Sequence, residues 1–258
     1  MSDIVIDDIL DISLKAGVLI LENGGETYRA EKTCVKVAKA LGAPEASAFV
    51  TPTLVIVTAY DNENHCHTAM RRVSLRTVNL AKISQLNDLA RRLTARGKQT
   101  EPKQAEHLLD RIDKAPRHGN FALTVMAAFS AFFFAFMFGS NLKEALIAFV
   151  IGALLRIVLI FLDKVHVNGF LVSLISGGLI STLCELVLFF GFVPSSVTIM
   201  TAVLMQVVPG MAIVNAIRDL LAGDLIAGTA RLVDAFMVAA GLSAGSAFGI
   251  LVFSNVHI

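Results

Sequence analysis

The feature that most limits what this chain can become is the succession of long apolar runs that begins at Phe121. Charged residues are scattered throughout positions 1–120 and become sparse beyond them. A run of about 18 or more residues with few charges is long enough to cross roughly 30 Å of bilayer hydrocarbon. Five such runs are expected, near Phe121–Gly139, Glu144–Leu162, Gly169–Gly191, Ser196–Ile217 and Thr229–Phe253. A mean hydropathy of +0.69 agrees, being too high for an ordinary soluble domain. The expected fold class is an α-helical integral membrane protein of about five transmembrane helices, preceded by a small cytoplasmic α/β domain. Domains are expected at 1–118 and 119–258.

The first 118 residues carry their own periodicities. Val5, Ile9, Ile12, Ala16 and Leu19 recur at helical spacing over Ile4–Glu22, and Asn23-Gly24-Gly25 stops that helix. A second helix is expected over Thr27–Leu41. Ala48–Tyr60 reads as one strand, Asp61–Asn64 as a turn, and His67–Leu75 as the returning strand. Val78–Arg96 is helical again, and Lys98–Arg117 is a charged, helical connector ending near Pro116.

Lysine and arginine near the span ends set an expected orientation. Lys103, Arg111, Lys114 and Arg117 precede the first span, Lys164 follows the second, and Arg218 and Arg231 flank the loop between the last two. The opposite loops, Ser140–Lys143 and Phe192–Ser195, hold only Lys143. The N-terminus is therefore expected inside the cytoplasmic (inner) membrane and the C-terminus outside. Asp3, Asp7 and Asp8 argue against a signal peptide. A formal net charge of +1 argues against a nucleic-acid partner. Cys34, Cys66 and Cys184 are odd in number and widely spaced, and read as free thiols.

One span contains its own interruption. Pro209 lacks an N–H and clashes with the preceding turn, so the fourth span should kink or break there, with Gly210 adding freedom. Backbone groups freed at membrane depth need protein or a wet cavity around them, and broken helices of this kind bind polar solutes in transporters. A kinked packing helix is the plainer alternative. Gln206, Pro209, Gly210 and Asn215 are the candidate solute contacts. Glu185 and Asp219 are the candidate proton-coupling groups, since intramembrane charges are costly. Arg218 and Asp219 also suit interfacial anchors, Arg156 can snorkel, Asp224 suits a solvated turn, and Arg231 and Asp234 suit a local i,i+3 pair. Glu26 suits a solvated helix N-terminus. GLSAG at 241–245 signals close helix packing or assembly, and assembly of several copies is compatible with it.

No nucleotide-binding loop, zinc-protease motif or nucleophile elbow is present, so neither a cofactor nor enzymatic activity is expected. His65-Cys66-His67 is a weak metal signal without distant partners, and no metal is expected.

GVLILENGGETYRAEKT at Gly17–Thr33, FVTPT at Phe49–Thr53, RRVSLRTVNLAKISQLNDLARRL at Arg71–Leu93 and VVPGMAIVNAIRDLLAGDLIAGTARL at Val207–Leu232 together resemble the threonine/serine exporter family, in particular its stand-alone N-terminal half. Pro209, Gly210, Asn215, Asp219, Gly223, Asp224, Gly228 and Arg231 carry the last match. The resemblance implies a secondary exporter subunit in the cytoplasmic membrane. It also implies a partner, a shorter membrane protein of the same family, with a threonine/serine-type amino acid or a dicarboxylate such as succinate as solute. The alternative reading is a membrane-anchored sensor or enzyme acting through the first 118 residues.

Overall fold

A computed structural model describes residues 3–74, 77–96, 101–116, 119–165 and 167–254. The chain divides into two compact units, Met1–Pro116 with Met211–Leu232, and Arg117–Gly210 with Val233–Ile258.

The first unit opens with helix α1 (Asp3–Glu22) and helix α2 (Thr27–Ala40). Three antiparallel strands follow in the order β1 (Glu45–Thr51), β2 (Leu54–Tyr60) and β3 (Cys66–Arg72). The single strand expected over Ala48–Tyr60 is instead a hairpin, in which Thr51 pairs with Leu54 across Pro52-Thr53. Proline's fixed φ and missing N–H favour a turn over a continued ladder. The returning strand runs over Cys66–Arg72 rather than His67–Leu75, whose last residue lies outside the described ones, and Asp61 shapes its turn by accepting the N–H groups of Glu63 and His65, both at 2.8 Å. Helices α1 and α2 pack on the sheet, with α3 (Leu80–Arg96) and α4 (Pro102–Asp113) against α1. Ile6, Ile9, Leu14, Val37, Val55, Leu86, Leu93 and Leu109 fill this core. Helix α9 (Gly210–Leu221) and the first turns of α10 (Leu225–Ser254) complete the unit, apart from Gly210.

The second unit holds α5 (Asn120–Met137), α6 (Leu142–Lys164), α7 (Gly169–Phe189), α8 (Val197–Leu204) and the rest of α10. Asn141 and Glu144 close a reciprocal capping box at the start of α6. Small residues from several helices, among them Ala131, Ala135, Ala145, Ala148 and Ala202, make the buried centre. Gly177 and Gly245 let α7 and α10 meet backbone to backbone, because a Cβ on either would overlap a carbonyl of the other helix.

Among the described residues, four helices (α5, α6, α7 and α10) are long and apolar enough to cross a membrane, rather than the five expected. The difference is the expected fourth span. It is divided into α8, of 8 residues, and α9, of 12. At about 1.5 Å per residue neither half reaches across roughly 30 Å. Helix α10 begins at Leu225, four residues before the expected Thr229.

Candidate functional site

The break between α8 and α9 runs from Met205 to Pro209. The chain leaves the α-helix before the proline. Gln206 N–H donates to Val203 at 3.1 Å, and Val207 and Val208 both donate to Leu204 at 3.0 Å. Gly210 donates to Val208 at 2.8 Å. The carbonyls of Met205, Gln206 and Val207 accept none of these bonds. The side chain of Gln206 enters the helical unit, where its Nε2 is buried without a hydrogen-bond partner among the described residues. Gly152 on α6 makes room for it, since a Cβ there would press on Gln206 Nε2 and on Ala131 of α5. A buried amide donor left unpaired costs about 1–3 kcal/mol. Glu185 lies on α7 and accepts the hydroxyl of Ser196, the N-cap of α8, at 2.8 Å. It therefore serves the far end of α8 from Gln206, roughly 12 Å away along eight helical residues.

Asn215, Arg218, Asp219 and Arg231 of the Val207–Leu232 stretch belong to the first unit, and they converge on the loop that joins α1 to α2. Helix α1 ends in a Schellman turn. Gly24 sits at φ +88°, its N–H donates to Leu21 at 3.0 Å, and Gly25 donates to Ile20 at 2.9 Å. Asn215 of α9 donates its side-chain amide to the Gly24 carbonyl at 3.0 Å. Arg231 of α10 donates to the Gly25 carbonyl at 2.8 Å. Glu26 is the N-cap of α2 but makes no side-chain cap. Its carboxylate instead holds Arg218 and Arg29, each at 2.7 Å. The first N–H of α2 is received by Asp219, whose Oδ1 lies 3.3 Å from Thr27 N and whose Oδ2 accepts the Thr27 hydroxyl at 2.8 Å. A carboxylate at this position satisfies an orphan donor and suits the positive end of the helix dipole. Asp219 is fully buried, and Arg231 Nε lies 3.0 Å from its Oδ2.

The same geometry accounts for Gly223 and Gly228. Gly223, at φ +92°, ends α9 in a second Schellman turn, with Asp224 N–H on the Asp219 carbonyl at 2.9 Å. Gly228 lies so close to α9 that a Cβ would strike Leu220 and the Ala216 carbonyl. The turn thus returns α10 against α9, and Arg231 arrives at Asp219. Two further acids surround this ion pair without a cation of their own among the described residues. Burial raises the Glu31 carboxyl above its ordinary range; the Val50 N–H at 3.2 Å opposes this, and the charges of Asp224 and Asp219 add to it. Burial, then Asp219, raises Asp224.

Of the six candidate residues, the structure places Gln206, Pro209, Gly210 and Glu185 in the helical unit and Asn215 and Asp219 in the α/β unit. Several expectations for these residues and their neighbours are revised. Asp219 is not an interfacial anchor, because it is buried and paired. Arg231 reaches Asp219 rather than serving only a local pair with Asp234. Glu26 is buried between two arginines rather than solvated. Thr27, Gly24 and Gly25 were missed as partners; the signal available was the unusual NGGET run itself, polar at the point where a helix begins. His65 and His67 turn toward one carboxylate, Asp61 Oδ2, at 3.2 and 3.4 Å. Arg156 is half-buried on α6.

Among the described residues, four helices of spanning length and apolar composition define the class, a helical integral membrane protein. Residues 11–253 match the model of the family described as "Putative threonine/serine exporter", and the chain belongs to the threonine/serine exporter family. It is similar to the probable threonine/serine exporter of Mycobacterium tuberculosis, at 23% identity over 97% of this chain and 47% of that protein. It is similar to the threonine/serine exporter of Corynebacterium glutamicum, at 25% identity over 70% of this chain and 37% of that protein. It is also similar to the probable succinate transporter subunit YjjP of Klebsiella aerogenes, at 21% identity over 85% of this chain and 84% of that protein. The chain therefore spans about half the length or less of the two exporters, and most of the length of the subunit. No solved structure matches.

Proposed function

We propose that this chain is one subunit of a secondary transporter that exports small polar metabolites, either threonine/serine-type amino acids or a dicarboxylate such as succinate. It works with a shorter membrane protein of the same family in the cytoplasmic membrane, with its N-terminus inside and its C-terminus outside. The observation that carries this reading is the break at Met205–Pro209, where carbonyls come free of the helix beside the buried, unpaired amide of Gln206. A solute with ammonium, hydroxyl or carboxylate groups supplies what those groups lack, and leaving them unpaired is expensive in a helical membrane protein. The likeness to a protein named as a subunit, matched over most of its length, supports a two-chain assembly.

In this reading Gln206, Pro209 and Gly210 form the solute contact. Asn215 and Asp219 fasten the inner half of the broken helix to the α/β unit, and proton coupling falls to Glu185 or to the acids near Asp219. The test is efflux from liposomes loaded with labelled threonine, serine or succinate under an imposed proton gradient. Efflux is expected only when both chains are present. Efflux by the shorter chain alone would overturn the reading.

A further inference from the structure

Helices α3 and α4 do not close on each other completely. Between them lies a groove of about 480 Å³, within the range of small-molecule sites. Its floor is apolar, made by Leu89, Leu93 and Leu108. Its rims are polar and come from helical repeats: Gln85, Asp88 and Arg92 on α3, and Gln104 and Arg111 on α4. Asp88 is engaged by Arg91, outside the groove. Arg92 and Arg111 have no ion-pair or hydrogen-bond partner among the described residues. The groove therefore offers two guanidiniums without a partner among the described residues, one from each helix, over an apolar floor, with Gln85, Gln104 and the Arg91-paired Asp88 on its rims.

That combination selects a ligand by chemistry. A guanidinium binds a carboxylate through two parallel N–H donors. Two guanidiniums favour two carboxylates. The leucine floor favours methylenes between them over a compact inorganic anion. We propose that the α3–α4 groove is a binding site for a short-chain dicarboxylate, an effector site in the unit that does not contain the helix break. The site stands independently of the solute contact at Gln206. Because the same unit carries Asn215 and Asp219 on the inner half-helix, a ligand here is placed to act on that half-helix through the α/β fold.

The experiment is calorimetric titration of the full chain in lipid nanodiscs with succinate, and with butyrate as the single-carboxylate control. Three proteins are compared: the unaltered chain, Arg92→Gln with Arg111→Gln, and Gln206→Leu. Thermal melting verifies that each is folded. Succinate binding to the unaltered chain is expected to exceed butyrate binding by at least tenfold. The double arginine variant is expected to lose one binding event of at least tenfold in affinity, and Gln206→Leu is expected to retain it. Absence of succinate binding to the unaltered chain, or binding that the arginine substitutions leave unchanged, overturns the proposal. Binding removed by Gln206→Leu alone overturns the groove site and leaves the solute contact standing.

Discussion

Asp219 receives the first N–H and the hydroxyl of Thr27, so a helix near the start of the chain is capped by a side chain 192 positions later. The cap is held in turn by Arg231, whose side chain is 13% exposed against none for Asp219. A charge this deeply buried is tolerable only while it is paired. Asp219→Asn keeps the size of the side chain and removes the charge opposite Arg231. It is expected to lower unfolding stability by about 3–5 kcal/mol, the usual loss when one member of a buried pair is removed. Thermal unfolding in detergent measures this. A melting temperature equal to that of the unaltered protein would show that the pair carries no stability.

Asn215 tests the same junction more gently. Its amide satisfies the Gly24 carbonyl, and Asn215→Ala leaves that acceptor without its partner, at about 1–3 kcal/mol. The protein is expected to reach the membrane in normal amount with reduced efflux. Quantifying the membrane fraction beside efflux separates the two effects, and unchanged efflux would remove Asn215 from the working part of the molecule.

Gln206→Leu separates stability from function. Leucine replaces a buried amide donor that has no partner among the described residues with apolar surface of similar size, so melting is expected to rise by the equivalent of about 1–3 kcal/mol. Efflux by the proposed two-chain assembly is expected to fall at least tenfold, equivalent to about 1.4 kcal/mol. A gain in stability with efflux intact would assign the amide no role in transport.

The acids around the junction give a pH dependence with a definite sign. Burial raises Glu31 and Asp224 in the folded protein, with nearby acids adding to it. The folded state therefore holds more protons than the unfolded state between the two pKa values of each group. Their stabilising contribution is complete below the unfolded carboxylate range, near pH 4, and is lost as pH rises through the folded value. Glu31→Gln combined with Asp224→Asn is expected to flatten the fall in melting temperature above pH 4. A melting curve series from pH 4 to 8 reads this, and parallel curves for the two proteins would refute it.

Much of the fold is legible from local pattern. The helix over Ile4–Glu22 announces itself by apolar spacing and by Asn23-Gly24-Gly25, because helix periodicity and a left-handed stop are properties of adjacent residues. The break at Pro209 is equally local, since it follows from a missing N–H. Its width is less so: the two turn bonds of Gln206 and Val207 before the proline set it, and the expected span becomes two short helices. The partners of Asp219 are not local at all. Nothing in the spacing of Asn215, Arg218 and Asp219 distinguishes a surface anchor from a buried cap until Thr27 is known to lie beside them. The hairpin at Pro52 was concealed by the β-favouring composition on both of its sides.

The long sequence separation in the junction also sets a schedule for the nascent chain. At about 5–20 residues per second, the ribosome needs roughly 10–40 s to travel from Thr27 to Asp219. Throughout that interval α2 begins with an uncapped N–H, and Glu26 lacks one of its two arginines. The N-terminal part of the first unit therefore emerges early and matures late. Its last hydrogen bonds are supplied only after α5, α6 and α7 have been synthesised. A fragment ending near residue 118 stops short of that delivery.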